Sequence, residues 1–279
     1  MLNKFKTWNR RRVDERRVNK LCQYIRENVV DDGKDEVIRF LNTNKKIAML
    51  PYLWTNEYDK NDVVVEWDDE KKLYYALWNG KKMYWKSGVP KEKVQEYVND
   101  LRIEQDSRSP HLYTADSNID NGVLCDCGSA EGCFSLDVIE RVKHVYLFEC
   151  DEEWMKALQA TFEPWKEKVT LVNKYIGSEV GDNVTTLDAF FADRDIDVVK
   201  ADIEGAECDL LSGGKNVLAY KVKAVNICLY HKYDDEAKLG EMLTKMGFTS
   251  KVNPGFMIYW QHGLSADKAL RRGVMYAKK

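Results

Sequence analysis

The sequence predicts an α/β fold built on a mostly parallel, doubly wound sheet and preceded by a smaller α+β segment. From about Asn121 onward, short apolar runs typical of strands alternate with amphipathic stretches typical of helices. Repeated β-α units of this kind form a parallel sheet with helices on both faces. Upstream, apolar residues alternate with a period of two on both sides of Asn79-Gly80. That dipeptide favours a type I′ hairpin, so a small antiparallel meander is predicted there.

The C-terminal part holds the β-α repeats. Helices are predicted where apolar residues recur every three or four positions, as Trp154, Leu158 and Phe162 do. Gly213-Gly214 ends one of these helices. The predicted strands are Gly122–Asp126, His144–Glu149, Val169–Val172, Ile196–Ala201, Val222–Tyr230, Phe248–Val252, Phe256–Trp260 and Val274–Lys278. The predicted helices follow Gly132 and cover Asp151–Phe162, Thr185–Phe191, Glu204–Leu211 and Asp234–Met246.

The N-terminal part is predicted to combine helices with the meander. Helices are expected at residues 10–30 and 35–41, and Pro90 opens another. The apolar face of the first helix consists of Val18, Leu21, Cys22, Ile25 and Val29. That of the helix after Pro90 consists of Val94, Tyr97, Val98 and Leu101. The meander strands are Val63–Trp67, Leu73–Trp78 and Lys81–Trp85. We therefore expect an appendage over residues 1–105 and a second domain over residues 106–279.

Composition narrows the function classes. Of 279 residues, 44% are hydrophobic and 32% charged, and the net charge of −3 gives no sign of a nucleic-acid partner. No apolar run reaches the ~20 residues of a membrane span. The seven cysteines form no C-x-x-C pair, which favours a reduced, cytoplasmic protein, and the spacing of Cys125, Cys127 and Cys133 matches no zinc pattern. The first twenty residues are basic, which indicates a solvated helix face or peripheral contact with an anionic membrane.

The turn after the first C-terminal strand is the main candidate for a ligand site. It reads Asp126-Cys-Gly-Ser-Ala-Glu-Gly132. A dinucleotide fingerprint would need glycines where Ala130 and Cys133 stand, and a phosphate-binding loop would need Gly-Lys-Ser/Thr. The Asp-x-Gly-x-x-x-Gly turn that remains suits a cofactor without phosphate. Glu149 follows Gly128 by 21 residues, near the ~20-residue offset at which an acid binds ribose hydroxyls.

Four stretches carry a family resemblance. They are Asp126–Ser135, Tyr146–Glu149, Thr186-Leu-Asp188 and Asp197-Val-Val-Lys-Ala-Asp-Ile-Glu-Gly-Ala-Glu207. Together they resemble the FkbM family of methyltransferases, over roughly residues 105–279. The segment Glu104–Tyr113 resembles FkbM-like members associated with bacterial surface polysaccharides. One departure is Tyr230, which stands where an acid often precedes the histidine.

The resemblance implies a Rossmann-like class I methyltransferase that uses S-adenosylmethionine, usually to methylate oxygen and often on sugars. The expected cofactor contacts are Asp126, Gly128, Ser129, Ala130, Glu131, Gly132, Glu149, Gln105, Ser109 and His111. Gln105 to His111 lie in a polar loop, for which a plain interdomain linker is the alternative. Asp106, Glu204 and Lys200 are assigned to the acceptor, a sugar, nucleotide sugar or glycan.

His231 and Asp202 are the candidate catalytic residues, because both follow strands that should end at the same edge of the sheet. An unperturbed histidine titrates near neutral pH, so His231 is the expected general base and Asp202 its partner. A structural role at a strand end is the alternative for His231. Asp202, Glu204 and His231 could instead hold Mg²⁺ or Mn²⁺. Glu207 is expected only to stabilise a helix N-terminus.

The sequence leaves several functions open. A sugar O-methyltransferase leads, with a methyltransferase for a small non-sugar metabolite and a non-catalytic cofactor-binding scaffold as alternatives. The appendage is expected to bind the acceptor or to mediate oligomerisation, and the oligomeric state is open. Most of its aromatic residues are expected to form its core.

Overall fold

The computed structural model describes residues 2–31, 33–259 and 265–279, and the side chains of residues 2–14, 266 and 267 are left out of the description. The helices are α1 (Leu2–Asn28), α2 (Lys34–Asn44), α3 (Lys91–Glu104), α4 (Cys133–Val138), α5 (Glu152–Thr161), α6 (Leu187–Phe190), α7 (Glu207–Gly213), α8 (Lys215–Tyr220), α9 (Asp235–Lys245) and α10 (Ala266–Ala269). Short 3₁₀ segments lie at Leu53–Glu57, Lys60–Asp62, Ser117–Ile119 and Glu163–Lys168.

The strands form one large sheet and three small ones. In chain order they are β1 (Val65–Asp68), β2 (Leu73–Trp78), β3 (Lys81–Tyr84), β4 (Val123–Cys127), β5 (His144–Phe148), β6 (Val169–Val172), β7 (Tyr175–Ile176), β8 (Val184–Thr185), β9 (Val198–Ala201), β10 (Ala224–Cys228), β11 (Thr249–Val252), β12 (Met257–Ile258), β13 (Leu270–Arg271) and β14 (Val274–Lys278). The large sheet has the order β11-β14-β10-β9-β4-β5-β6.

The large sheet is parallel except at β14, which runs antiparallel to both β10 and β11. Strand β4 lies between β5 and β9 and is parallel to both, so the chain order reverses beside β4. Ligands of open α/β sheets bind at such a switch point, outside the carboxyl ends of the strands. The predicted Rossmann-like, doubly wound fold is confirmed.

Both faces of the sheet are covered because successive strand residues point to opposite sides. Leu124 belongs to one apolar cluster, and Cys125 and Cys127 belong to the other. The first cluster takes in α4 and α5 together with α1, α2, α3 and the meander. The second takes in residues of α6, α7, α8 and α9. The appendage thus packs on the face that α4 and α5 cover.

The N-terminal elements follow the sequence patterns closely. The predicted hairpin is present, with positive φ at both Asn79 and Gly80, and β1, β2 and β3 form the antiparallel meander. On α1, Val18, Leu21 and Ile25 are fully buried. The strongly basic start of α1 includes Lys4, Lys6 and Arg10–Arg12, whose side chains lie outside the description. Among the described residues, no helix combines the length and apolarity that crossing a membrane would require.

Two element predictions differ from the structure. The helix expected from Glu204 begins at Glu207, because Glu204 and Gly205 adopt positive φ values that interrupt helical geometry. The strand expected at Phe256–Trp260 shrinks to β12, which pairs with β13 outside the large sheet, and Trp260 lies outside the described residues. The Tyr52 hydroxyl bonds both the amide and the carbonyl of Phe256, which ties this segment to the appendage instead.

Candidate active site

The turn after β4 is shaped by three left-handed residues. Gly128, Ala130 and Gly132 have φ values of +73°, +46° and +80°, a region that glycine enters without the usual steric cost. A Cβ atom on Gly128 would lie 1.9 Å from the carbonyl oxygen of Asp202. Glycine at this position therefore lets the ends of β4 and β9 meet backbone to backbone.

Glu149 holds the turn from the neighbouring strand end. Its Oε2 accepts a hydrogen bond from the Ala130 amide at 2.9 Å. Its Oε1 accepts from the amides of Cys150 and Asp151 at 2.7 and 2.8 Å. Each carboxylate oxygen has two acceptor positions, so Oε2 keeps one of them for another donor. The carboxylate is thus fixed in place while its outer side stays available.

A cleft of about 450 Å³ lies beside this pair, along the carboxyl ends of β4, β5 and β9. Its lining combines Glu149 with the apolar or aromatic side chains of Trp154, Tyr175, Ile176 and Ile203. Asp202 and Glu204 line its far side. Apolar walls with a few convergent polar groups are typical of small-molecule sites.

A smaller cavity of about 130 Å³ adjoins the turn, and we call it the inner cavity. It shares Gly128, Ala130 and Asp202 with the large cleft, so the turn and Asp202 separate two connected spaces. Its other lining residues include Glu104, Gln105, His111, Tyr113, Ser129, Glu131 and Lys200.

Lys200 and Asp126 form a buried pair under the turn. Their side chains are 6% and 1% exposed, and Nζ lies 3.1 Å from Oδ1 as an ion pair rather than an aligned hydrogen bond. Lys200 also donates to the Gly128 carbonyl at 2.7 Å, and Asp126 accepts from the Ser135 hydroxyl at 2.6 Å. Burial lowers the pKa of Lys200, but Asp126 and Asp202 outweigh it and raise the pKa. Lys200 thus stays charged and fixes the turn, besides lining the inner cavity.

Asp202 is the centre of the polar network. Tyr113 donates to its Oδ2 at 2.7 Å, and Tyr230 donates to its Oδ1 at 3.0 Å. Nε2 of His111 and Nε2 of His231 lie 3.8 and 3.5 Å from the carboxylate. Burial raises the pKa of Asp202, but Lys200, the two histidines and the Tyr113 bond together lower it to about 2. Asp202 is therefore an anion at neutral pH and a weak base.

His231 is oriented by Glu207, the first residue of α7. Its Nδ1 lies 2.9 Å from Oε1 of Glu207, which is fully buried and also accepts from the Ile203 amide at 3.1 Å. Burial lowers the pKa of His231, but the Glu207 bond and the charge of Asp202 raise it overall. Nε2 is buried and has no hydrogen-bond partner among the described residues. A histidine that an acid orients through one ring nitrogen, and whose other ring nitrogen is free, has the arrangement that proton abstraction needs.

Glu204 lies at the exposed edge of the cluster that Asp202, Glu207 and His231 form. Its side chain is 88% exposed, and Oε2 is 3.6 Å from Nε2 of His231. One ligand atom each from Asp202, Glu207 and His231 also lie within 4.8 Å of one another. These oxygen and nitrogen donors are of the type that Mg²⁺ and Mn²⁺ accept, and a cation would occupy the unpaired Nε2. The donor set therefore fits a divalent cation.

The loop from Gln105 to Tyr113 divides between two environments. Gln105 and His111 line the inner cavity, and burial lowers the pKa of His111 to about 4, so its ring is neutral. Ser109 is buried, and its hydroxyl accepts from the His111 amide at 3.1 Å. Asp106 instead accepts from Tyr58 at 2.5 Å and pairs with Arg108 at 2.8 Å. The loop thus supplies walls to the inner cavity and one acid turned toward the appendage.

Sequence reasoning missed four residues of this network. Tyr113 and Tyr230 bind Asp202, Glu207 orients His231, and Glu104 lines the inner cavity. Tyr230 had a signal, because it replaces the acid that often precedes the histidine in the resembling family. Glu207 also had one, since it is the last residue of the stretch Asp197–Glu207 that carries the resemblance. Glu104 and Tyr113 lie at the ends of the segment that resembles FkbM-like members, but nothing in the sequence places them beside Asp202, because their neighbours are distant in the chain.

One family model matches part of the chain. Residues 156–253 match the family model of the methyltransferase FkbM domain, and this segment contains Lys200–Glu207 and His231 but not the turn. The predicted resemblance to the FkbM methyltransferases is confirmed for that segment. No curated protein matches the chain.

Solved structures with a similar fold include several methyltransferases. Methyltransferase FkbM from Methylobacillus flagellatus KT matches with 17% identity over 62% of this chain and 47% of that one, at a TM-score of 0.46. A precorrin-6y C5,15-methyltransferase from Geobacter metallireducens GS-15 matches with 16% identity over 58% and 85%, at 0.41. Sp1610 from Streptococcus pneumoniae, a putative tRNA (m1A22) methyltransferase in complex with S-adenosyl-L-methionine, matches with 16% identity over 58% and 68%, at 0.39. This chain spans about half the length of the Methylobacillus protein.

Proposed function

We propose that this protein is an S-adenosylmethionine-dependent O-methyltransferase that acts on a sugar or surface-polysaccharide hydroxyl, because residues 156–253 match the family model of the methyltransferase FkbM domain. The observation that carries the proposal is the His231–Glu207 pair, with its free Nε2 3.5 Å from Asp202. Asp202 in turn lies at the junction of the large cleft and the inner cavity. A hydroxyl is a weak acid that must lose its proton when it receives a methyl group, so a hydroxyl acceptor needs a nearby proton-accepting group.

The chain offers a place for each part of the cofactor. Glu149 would accept from the ribose hydroxyls through the free side of its carboxylate, and Trp154 and Tyr175 would flank the base in the large cleft. The methionine end would lie over Gly128 and Ala130 and reach the inner cavity. When bound, the sulfonium supplies an activated methyl group. No phosphate site is required, which agrees with the absence of a cationic side chain from the turn.

The remaining chemistry belongs to the protein. His231 would accept the proton of the acceptor hydroxyl at Nε2, while Glu207 keeps Nδ1 occupied and the ring in place. Asp202 would stabilise the histidine once it is charged, because Tyr113 and Tyr230 donate hydrogen bonds that keep its carboxylate anionic. Orientation of this kind can contribute up to ~7–11 kcal/mol to a barrier. A placed base adds ~10²–10⁴-fold in rate.

Calorimetry with S-adenosylmethionine tests the cofactor assignment. We expect one binding site in the wild-type protein and weaker binding in Glu149→Ala, with Glu179→Ala as an exposed acid outside the cleft for comparison. NAD titrated in parallel should give no heat. Absence of binding by S-adenosylmethionine would overturn the proposal. Screening nucleotide sugars and capsule fragments for a mass increase of one methyl group would then identify the acceptor.

A divalent cation is a second candidate for acceptor activation, favoured by the unpaired Nε2 of His231. Asp202, Glu204 and His231 would hold it, and it would acidify the acceptor hydroxyl. Turnover measured after chelation and again after adding Mg²⁺ or Mn²⁺ separates the two mechanisms. Full activity in chelator supports the histidine base alone, whereas loss that Mg²⁺ or Mn²⁺ restores supports the cation.

The assignments of individual regions form part of the proposal. Residues 106–279 would bind the cofactor, and residues 1–105 would bind the acceptor or mediate oligomerisation. Asp106 and Lys200 stay acceptor candidates. A cytoplasmic location and a peripheral membrane contact through the basic N-terminal residues stay predictions.

A further inference from the structure

A third space lies in the appendage, on the other side of Glu104. This appendage cavity has a volume of about 510 Å³ and is formed by α2, the segment at residues 46–58 and α3. Its polar lining residues are Lys46, Thr55, Asn56, Tyr58, Asp100 and Glu104. A volume in this range holds a small organic ligand.

Glu104 is the residue that the appendage cavity and the inner cavity have in common. Its side chain is 18% exposed, and Oε2 lies 4.0 Å from Nδ1 of His111. Its carboxyl group has no hydrogen-bond partner among the described residues. An unpaired carboxyl of low exposure facing two cavities is a group with unused bonding capacity.

The protonation state of Glu104 suits a neutral ligand. Burial, together with the charges of Asp202 and Glu131, raises the pKa of Glu104 to about 8. The carboxyl group therefore carries its proton at neutral pH and can both donate and accept. A sugar hydroxyl does the same, so one carboxyl can bind it through two hydrogen bonds.

The rest of the lining agrees with a sugar and not with a phosphate. Lys46 is the single cationic side chain among the described lining residues and is balanced by Asp100. Thr55 and Asn56 offer a hydroxyl and an amide, which bond to hydroxyl groups. Met49 and Ile103 supply apolar wall for the C–H face of a ring. A diphosphate would need more cationic or amide donors than these residues provide.

We propose that the appendage cavity is the acceptor site, that it takes a neutral, polyhydroxylated sugar unit, and that Glu104 contacts that sugar where the two cavities meet. This acceptor site rests on the proposed function, in which a methyl group passes from the cofactor to the sugar. It favours a neutral glycan unit over the nucleotide part of a nucleotide sugar as the occupant of this cavity.

Sugar binding can be measured without knowing the natural acceptor. We would record saturation-transfer difference NMR with methyl α-glucoside, methyl α-galactoside and methyl α-mannoside, with S-adenosylhomocysteine present. Asn56→Trp fills the cavity from an exposed lining position, and Thr43→Trp places the same bulk on an exposed residue of α2 that does not line it. Glu104→Leu removes the carboxyl group, whereas Glu104→Gln keeps a donor and an acceptor.

With the wild-type protein, we expect a saturation-transfer signal from at least one of the three glycosides. The signal should fall by about fivefold or more, the equivalent of ~1 kcal/mol, in Asn56→Trp and Glu104→Leu. It should be retained in Thr43→Trp and Glu104→Gln, which also controls for folding. Binding that Asn56→Trp leaves unchanged, or no glycoside binding at all, would overturn the acceptor site. Calorimetry with S-adenosylmethionine on the same samples shows separately whether the cofactor assignment has failed.

Discussion

Single residues divide the chemistry of the site through opposite pKa shifts. Burial raises the pKa of the Asp202 carboxyl group, but a lysine, two histidines and the Tyr113 hydroxyl outweigh it and lower the pKa to about 2. His231, bonded to Glu207, has its pKa raised. Two groups whose pKa values are pushed apart take different roles. In the proposed mechanism the aspartate would stabilise charge and the histidine would move the proton.

The pH dependence of turnover follows from the raised pKa of His231. The histidine must be unprotonated to accept a proton, so kcat should be low near the ordinary value of about 6.5 and rise with pH until that raised pKa is passed. Glu207→Gln removes the charge that raises the pKa, so the rise should move to lower pH. His231→Ala should lower kcat by about 10²–10⁴-fold and abolish the rise.

The matched variant for this prediction is His144→Gln, since His144 bonds Thr170 away from the site. Its profile should equal that of the wild-type protein. If Glu207→Gln leaves the rise where it was, or if His231→Ala and Asp202→Asn both keep the full rate, the assignment of the base is wrong.

The backbone contact of Gly128 leads to a stability prediction. Gly128→Ala forces a Cβ to within 1.9 Å of the Asp202 carbonyl at positive φ, whereas Gly80→Ala meets nothing within 4 Å at nearly the same φ. The left-handed conformation alone costs about 1–2 kcal/mol. We expect urea denaturation to show that cost in Gly80→Ala and a loss above ~3 kcal/mol in Gly128→Ala. Equal losses of stability in Gly80→Ala and Gly128→Ala would mean that the turn moves away from Asp202 without a further cost.

At the scale of elements, one carboxylate of α4 bonds the hairpin of the meander. Asp137 of α4 accepts from the indole of Trp78 at 2.8 Å and from the amide of Asn79 at 2.6 Å. Trp85, just after β3, packs edge-on against Trp154 of α5 with ring centroids 5.4 Å apart. The hairpin thus contacts the helix that supplies Trp154 to the large cleft.

Removing the Asp137 carboxylate tests that attachment. Asp137→Ala leaves the indole of the buried Trp78 without its acceptor, which costs about 1–3 kcal/mol. Glu140→Ala removes a carboxylate that accepts from the Trp165 indole in an exposed setting, where a change below ~1 kcal/mol is expected. Chemical denaturation of both variants measures the difference. Equal losses of unfolding free energy in the two variants would show that burial does not strengthen the bond between Trp78 and Asp137.

At the scale of the whole molecule, the appendage and the sheet share one apolar cluster. Trp78 and Val94 of the appendage belong to the same cluster as Leu124 and Val145 of the sheet. Ile258 of β12 also donates its amide to the carbonyl of Met49. Elements that share a core unfold together.

The chain of residues 106–279 alone should therefore not fold like the complete protein. We expect the complete chain to unfold in one cooperative thermal transition, and residues 106–279 to aggregate or to show no transition, because that face of the sheet would be exposed. Circular dichroism during heating measures both. A cooperative transition in residues 106–279, with binding of S-adenosylmethionine retained, would show that the appendage is an independent domain.

Local sequence determined much of this fold and of the cofactor-side residues. The hairpin at Asn79-Gly80, strands such as Leu73–Trp78 and Val274–Lys278, and the turn at residues 126–132 depend on neighbouring residues and backbone preference. These are the features that periodicity and glycine placement report. The strand expected at Phe256–Trp260 was wrong in its place because a hydroxyl of Tyr52 holds Phe256.

The side-chain network could not be predicted in the same way. Tyr113 reaches Asp202 across 89 positions of the chain, and Trp78 reaches Asp137 across 59. Glu207 was expected to stabilise a helix terminus, yet it also bonds the ring of His231. Such partners are brought together only by the sheet order, which a single sequence does not specify.

The missing Cβ of Gly128 has a consequence for how such an enzyme can change over time. The close approach of the turn to Asp202 is a contact between main-chain atoms that Gly128 allows, so replacements of distant side chains would leave it in place. The proposed acceptor cavity is built by residues 40–58 and 100–104, well apart along the chain from that contact. Replacements in the appendage could thus change which acceptor is preferred. The relative positions of the proposed methyl donor and the proposed general base would stay the same.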